Sequence, residues 1–234
     1  VKKTAHRLLA LLFAVLLCYS AYRVWDIGKN YSAEAQMHER VMEYKPGPGE
    51  SVNQSVMDLR KTYPDVAGWL TIPNTNIDYP FVRYKDNGFY LRRDLNGGDA
   101  AAGTLFMDCR CAADFTSQNT IIYGHHMKNG SMFGTLKAFA DEDFFTANPR
   151  GAVYLPSETL VLEFFAYLVV KHTDREVYSV DLSETYLAYV EQNARQYRGI
   201  GLAQGDRVVT LSTCSYEFNN ARMVLLARVA PPAR

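Results

Sequence analysis

The chain has no surplus of either charge: Lys and Arg total 25, and so do Asp and Glu. A general nucleic-acid binder carries a basic excess, so that class falls away and no nucleic acid is expected as a partner. Cysteine is scarce, with four in 234 residues, too few for a scaffold framed by disulfides. Nine prolines and 15 glycines are too few for a collagen-like chain, and an apolar fraction of 48% is too high for general disorder. There is no internal repeat and no low-complexity tract. Acidic residues do not cluster at calcium-loop spacing, so neither a metal nor another cofactor is expected. Long Leu-rich runs are missing after the N-terminus, whereas aromatic residues reach 13%, 16 of them Tyr. That balance favours a β-rich core over a helical bundle. The length suits one sizeable domain, or one domain with an appendage.

No acidic residue appears before Asp26, while Lys2, Lys3 and Arg7 precede an uncharged run from Leu8 to Tyr22. Such a run as a helix spans roughly 22 Å, short of the ~30 Å hydrocarbon core. Arg7 and Arg23 can snorkel outward, and Tyr19, Tyr22 and Trp25 suit the interface. Residues 1–26 are therefore read as a cytoplasmic flank and transmembrane signal-anchor. The positive flank stays in the cytoplasm and the rest of the chain lies outside, giving a single-pass cell-membrane protein. Two rival readings are a cleaved signal peptide, although Cys18-Tyr19-Ser20 is a poor cleavage site, and a lipoprotein signal ending at Cys18, which the bulky Leu17 before it disfavours.

Residues 27–50 read as a juxtamembrane helix and linker, with Ala33, Met37, Val41 and Tyr44 at helical steps. Lys45-Pro46-Gly47-Pro48-Gly49 supplies a breaker and hinge. Residues 51–234 form the exported domain. A short helix is expected from Ser51 to Tyr63, with Val52, Val56, Leu59 and Tyr63 on one face and Pro64 stopping it. Short apolar runs separated by turn residues follow: Ala67–Ile72, Ile77–Val82, Gly103–Met107, Thr120–Tyr123, Ala152–Leu155, Leu160–Lys171, Arg207–Thr213 and Arg222–Val229. Such punctuation predicts an antiparallel barrel or sandwich. Helices are expected at Met132–Phe139 and, with an Asp181/Glu184 capping box, at Asp181–Tyr197. The fold class is mainly β: a closed barrel with inserted helices, preceded by N-terminal helices and the anchor.

Cys214 stands at the end of the alternating segment Val208–Thr213, where a rigid strand can hold a thiol at a groove. A free thiol has a pKa of ~8.5, so a nucleophilic cysteine needs a cationic or basic neighbour and an acid for the leaving amine. His125 and His126 follow the apolar strand Asn119–Tyr123 and Gly124, a flexible junction that can present an imidazole at a barrel rim. Arg222 opens the strand after Cys214 and returns towards the thiol if the two strands form a hairpin. Cys109 and Cys111 form a C-x-C that suits neither a zinc knuckle nor an unstrained local disulfide. They read as two small side chains at a strand end, with a bridge to another cysteine left open. The residues alone leave open a cysteine enzyme with this Cys–His site, a hydrolytic cysteine peptidase among the possibilities, and a non-catalytic membrane-anchored binding module.

Together these pieces resemble the sortase family, whose members carry a Thr-Leu-x-Thr-Cys strand end, an upstream Gly-His and an Arg on the next strand. Here they are Thr210-Leu211-Ser212-Thr213-Cys214, Gly124-His125 and Arg222. The subgroup resembled is class B, through Asp65–Leu70, Thr75–Pro80, Gly103–Asp108 and Asn119–Met127. The resemblance runs from about Asp58 to Val229. It implies a sortase-like barrel with an extra helix between late strands, and a cysteine transpeptidase. The implied partners are secreted surface proteins bearing a C-terminal sorting motif, cleaved after Thr, and a peptidoglycan-precursor amine that resolves a thioester at Cys214. By the same resemblance His125 is the acid/base and Arg222 holds the substrate or the developing oxyanion. His126 should face the other way, because adjacent residues on an extended segment point to opposite sides. Ser212, two residues before Cys214, shares its strand face and is a candidate substrate contact. Tyr178 falls in the connection that corresponds to the family's substrate-recognition loop.

Overall fold

A computed structural model describes residues 2–47, 52–203, 205–215 and 217–231. Pro48 and Gly49 of the expected hinge lie outside the described residues. The chain divides into two compact units, Val1–Arg40 and Val41–Arg234. The first is dominated by α1 (Lys2–Met42), one continuous helix that runs through the expected boundary near residue 26 without a break. Within it, His6–Met42 is long and apolar enough to cross a membrane, and Leu8, Leu12, Phe13 and Leu16 are exposed.

The second unit opens with α2 (Gln54–Thr62), which starts later than the periodicity predicts. Asn53 is fully buried and donates its amide to the carbonyls of Leu155 and Glu158 at 2.6 and 3.0 Å, which fixes the helix start. Val56 and Leu59 are buried as expected, whereas Val52 stays 52% exposed.

Nine strands follow among the described residues: β1 (Val66–Thr71), β2 (Asp78–Arg83), β3 (Leu105–Met107), β4 (Asn119–Tyr123), β5 (Arg150–Tyr154), β6 (Thr159–Lys171), β7 (Gln196–Tyr197), β8 (Val208–Cys214) and β9 (Ala221–Val229). Their order is β5-β1-β2-β3-β4-β8-β9-β6-β7, and an extra β5–β6 pairing closes eight of them into a barrel. Closure removes the exposed edges an open sheet would carry. The expectation of an antiparallel barrel needs correction, since β2–β3 and β4–β8 pair in parallel. Parallel neighbours need long crossovers, which leave no local turn signal to read.

Alternation explains the packing. Met223, Leu225, Ala227 and Val229 of β9 belong to the cluster inside the barrel, with Phe81, Leu105, Ile121, Phe133 and Leu211. Val224 and Leu226 belong to a second cluster with Phe165, Leu168 and Val208, covered by Tyr186 and Val190 of α4 (Tyr186–Asn193). A strand covered on both faces reads as a continuous apolar run, as Met223–Ala227 of β9 does.

The helices are where the sequence reading fails most. The expected helix at Met132–Phe139 is a 3₁₀ turn at Leu136–Ala140, followed by an unforeseen α3 (Glu142–Ala147) capped by Asp141, which accepts from Phe144 N at 2.9 Å. The expected Asp181–Tyr197 helix shrinks to α4, and its capping box does not form. Leu182 N donates to Gln118 Oε1 at 2.8 Å and Ser183 Oγ to Glu176 Oε2 at 2.7 Å, holding the chain off the helical path. Beyond Asn193, Arg195 N and Arg198 N bond the carbonyls of Tyr167 and Phe165, which turns the chain into β7.

Candidate active site

Because β4 and β8 run in parallel with Tyr123 opposite Ser212, both strands leave the barrel at the same rim. Gly124 N continues the ladder to Ser212 O at 3.2 Å. On the other side β8 and β9 pair antiparallel, with Cys214 directly opposite Arg222. The residues that end β4, end β8 and begin β9 thus meet across three neighbouring strands. The hairpin expected from sequence forms, with Asn220 in its turn at a φ of 62°.

A groove of about 690 Å³ opens at this rim, and His125, Tyr178, Ser212, Cys214 and Arg222 all line it. Cys214 is half-buried and in no disulfide. His125 forms part of the wall, and its Nε2 lies 2.6 Å from the carbonyl oxygen of Leu91. A carbonyl only accepts, so that contact places the ring proton of neutral His125 on Nε2. His126 turns to the backbone, where its Nδ1 lies 3.1 Å from the Cys214 carbonyl. Arg222 Nη1 donates to the Ala221 carbonyl at 3.0 Å, and the guanidinium is in no ion pair among the described residues. A donor without a carboxylate counter-charge is available to a developing negative charge.

Ser212 is 1% exposed, and its Oγ lies 2.8 Å from the Tyr178 hydroxyl. Burial pushes the Tyr178 phenol up to about 12, so it stays protonated and acts as a hydrogen-bonding group. Its ring stacks on Tyr123, with centroids 6.3 Å apart. Behind Tyr123 lies Asp108, 1% exposed. Burial opposes its charge, yet hydrogen bonds from Arg110, Asn87 and Tyr123 together hold its carboxyl down to about 2.

The role of Gly124 differs from the flexible junction expected. A Cβ there would lie 2.4 Å from Leu105 Cδ2 and 2.8 Å from Phe133 Cδ2, and both side chains are fully buried. The strand passes too close to the core for any side chain. Gly124→Ala is expected to cost about 1–3 kcal/mol of stability through overpacking, and to displace His125. Chemical denaturation of the variant checks this; a change below about 0.5 kcal/mol would contradict the close-approach account.

Several groove residues carry little signal in the sequence. Leu91 acts through its carbonyl, which no residue type announces. His172 lines the groove just past β6 because β6 pairs with β9 in a register that sets Lys171 opposite Ala221. The Asp-x-Arg pair at the end of β3 was visible as a pattern, but its partner Tyr178 lies far along the chain. Among the described residues no group of three or more His, Cys, Asp or Glu is placed to hold a metal ion.

Comparison with known proteins agrees with this architecture. A sortase domain model matches residues 70–230. The chain is 36% identical over 187 residues to a sortase B of Listeria monocytogenes, covering 76% of this chain and 75% of that one. A sortase B of Staphylococcus aureus is 25% identical over 188 residues, covering 77% and 76%. Among solved structures, sortase B from B. anthracis aligns with a TM-score of 0.75 at 31% identity, over 86% of this chain and 97% of that one. Clostridium perfringens sortase B aligns with a TM-score of 0.70 at 34% identity, over 75% and 99%. Motifs, barrel and relatives converge, and the chain belongs to the sortase family of cysteine transpeptidases, among its class B members.

Proposed function

We propose that this protein cleaves a C-terminal sorting motif after Thr in secreted proteins and transfers the new carboxyl terminus to an amine of a peptidoglycan precursor. The observation that carries the reading is the meeting of Cys214, Arg222 and His125 at one groove, on three neighbouring strand ends. Cys214 passes its thiol proton to Nδ1 of His125, and its sulfur attacks the Thr carbonyl carbon as the oxygen takes up negative charge facing the Arg222 guanidinium. His125 gives a proton to the departing amine as the C–N bond breaks, leaving a thioester on Cys214. An incoming amine attacks that thioester and His125 takes its proton. The new amide forms as the sulfur leaves. With Nε2 held by the Leu91 carbonyl, Nδ1 is the ring nitrogen that takes and gives the working proton. Ser212 and Tyr178 form the wall against which the motif lies.

The exposed apolar face of α1 supports a membrane-anchor reading for residues 1–26. Leu8, Leu9, Leu11, Leu12 and Phe13 would be covered by lipid. The basic flank at Lys3 and Arg7 supports an N-terminus held in the cytoplasm, a linker over 27–50 and a catalytic domain outside from 51 to 234.

Mass spectrometry of the enzyme incubated with a panel of motif peptides tests the reaction. A mass gain on Cys214 matching the peptide up to Thr is expected, discharged faster when an amine is added. Discharge at the same rate with and without amine would convert the reading to a hydrolase. Arg222→Ala is expected to lower kcat about 10²–10³-fold, with Arg222→Lys keeping part of the rate because a point charge replaces the fork. Steady-state peptide cleavage measures both, and an Arg222→Ala rate within threefold of the parent would remove Arg222 from the oxyanion role.

A further inference from the structure

The connection between β6 and α4 carries Tyr178 to the groove, and four consecutive backbone carbonyls in it are held by Asn119 of β4 and Arg110 of the turn after β3. Asn119 Nδ2 donates to the carbonyls of Val177 and Ser179, at 3.1 and 2.8 Å. Asn119 N donates to the Val180 carbonyl at 2.9 Å. Arg110 Nη2 donates to the Tyr178 carbonyl at 3.1 Å. Both holders are themselves fixed. Asn119 is fully buried, and its Oδ1 accepts from Thr210 Oγ1 at 2.7 Å, which turns the NH₂ end towards the connection. Arg110 is gripped by the Asp108 carboxylate through Nε at 2.9 Å and Nη2 at 2.8 Å, a bidentate pair that sets the plane of the guanidinium.

We propose that Asn119 and Arg110 are positioning residues that set the substrate-facing wall of the groove by capturing the carbonyls of Val177–Val180. A segment without strand or helix has many conformations, and fixing each residue costs conformational entropy. Bonds to charged or buried partners offset that cost. The wall is thereby formed before any peptide arrives, and binding avoids the expense of ordering it. Asn119 is buried and Arg110 lines the groove beside Tyr178; both act on the wall through Tyr178, whose hydroxyl bonds Ser212, two residues before Cys214. The inference rests on the reading of Tyr178 as part of the motif-binding wall.

Two variants test it. Asn119→Asp keeps size and the bond from Thr210 but replaces two donors with an oxygen. Arg110→Lys keeps charge but loses the fixed plane, and it stands alone as the test if the buried Asn119→Asp fails to fold. For each, KM for a cleaved motif peptide is expected to rise about tenfold while kcat changes far less. In a Tyr178→Ala background the same substitutions should raise KM by less than about twofold, because the wall they hold has already lost its contact. An unchanged KM in the parent background, or an equal rise in both backgrounds, overturns the proposal. Hydrogen exchange separates this from the reaction itself. The amides of residues 177–182 should exchange at least tenfold faster in either variant. That readout needs no substrate, so if the parent cleaves no motif peptide, unchanged exchange still overturns the latch and faster exchange upholds it.

Discussion

Cys214→Ala is expected to abolish the covalent peptide adduct, with turnover falling roughly 10³-fold or more, to the background of the assay. The other two cysteines of the second unit provide the contrast. Cys111 is fully buried, its Sγ lies 3.5 Å from Ile121 N, and burial pushes its thiol up, away from the reactive form. Cys111→Ala should cost about 1–2 kcal/mol of stability through the void it leaves and still form the adduct. Cys109 offers its carbonyl to Arg83 at 3.1 Å and its N–H to Asn87, both backbone contacts that survive Cys109→Ala. Intact-mass measurement on the three variants, each checked for folding by circular dichroism, decides the matter. Loss of adduct in a folded Cys109→Ala or Cys111→Ala protein would place the nucleophile elsewhere.

The second large effect is expected at His125. A positioned acid/base contributes typically 10²–10⁴-fold, so His125→Ala should lower kcat by about that factor, whereas His126→Ala should lose several-fold at most. The two rings are adjacent in sequence but differently employed. His125 lines the groove and leans on Leu91, while His126 braces the Cys214 backbone. Some loss at His126 is expected from that brace, because the carbonyl it touches belongs to the residue bearing the thiol. Single-turnover acylation with one motif peptide measures both variants side by side, and the opposite ranking would move the acid/base role one residue along the chain.

The barrel and the strand ends that border the groove were legible in the sequence. Cys214 and Arg222 were readable together because a β8–β9 hairpin brings neighbouring segments face to face, so short-range spacing already contains their meeting. The eight long strands were readable from apolar runs between turn residues, to within a residue or two at most ends. What escaped was non-local. The parallel pairing of β4 with β8 leaves no turn to recognise, and α4 was overextended because the tethers of Leu182 and Ser183 come from Gln118 and Glu176. β7, only two residues long, exists because β6 offers it an edge. Asn119 and Arg110 carry no local signal of their role, since their partners lie on a segment roughly sixty to seventy residues downstream.

The parallel pairing of β4 and β8 also governs when the enzyme can exist at all. A chain emerging from the ribosome presents the imidazole strand early, then must complete β5, β6 and α4 before the thiol strand can dock beside it and β9 can bring the guanidinium. Contacts between such distant segments form slowly, because a large loop must close first. On the roles proposed for His125, Cys214 and Arg222, chemical silence during synthesis follows from strand order.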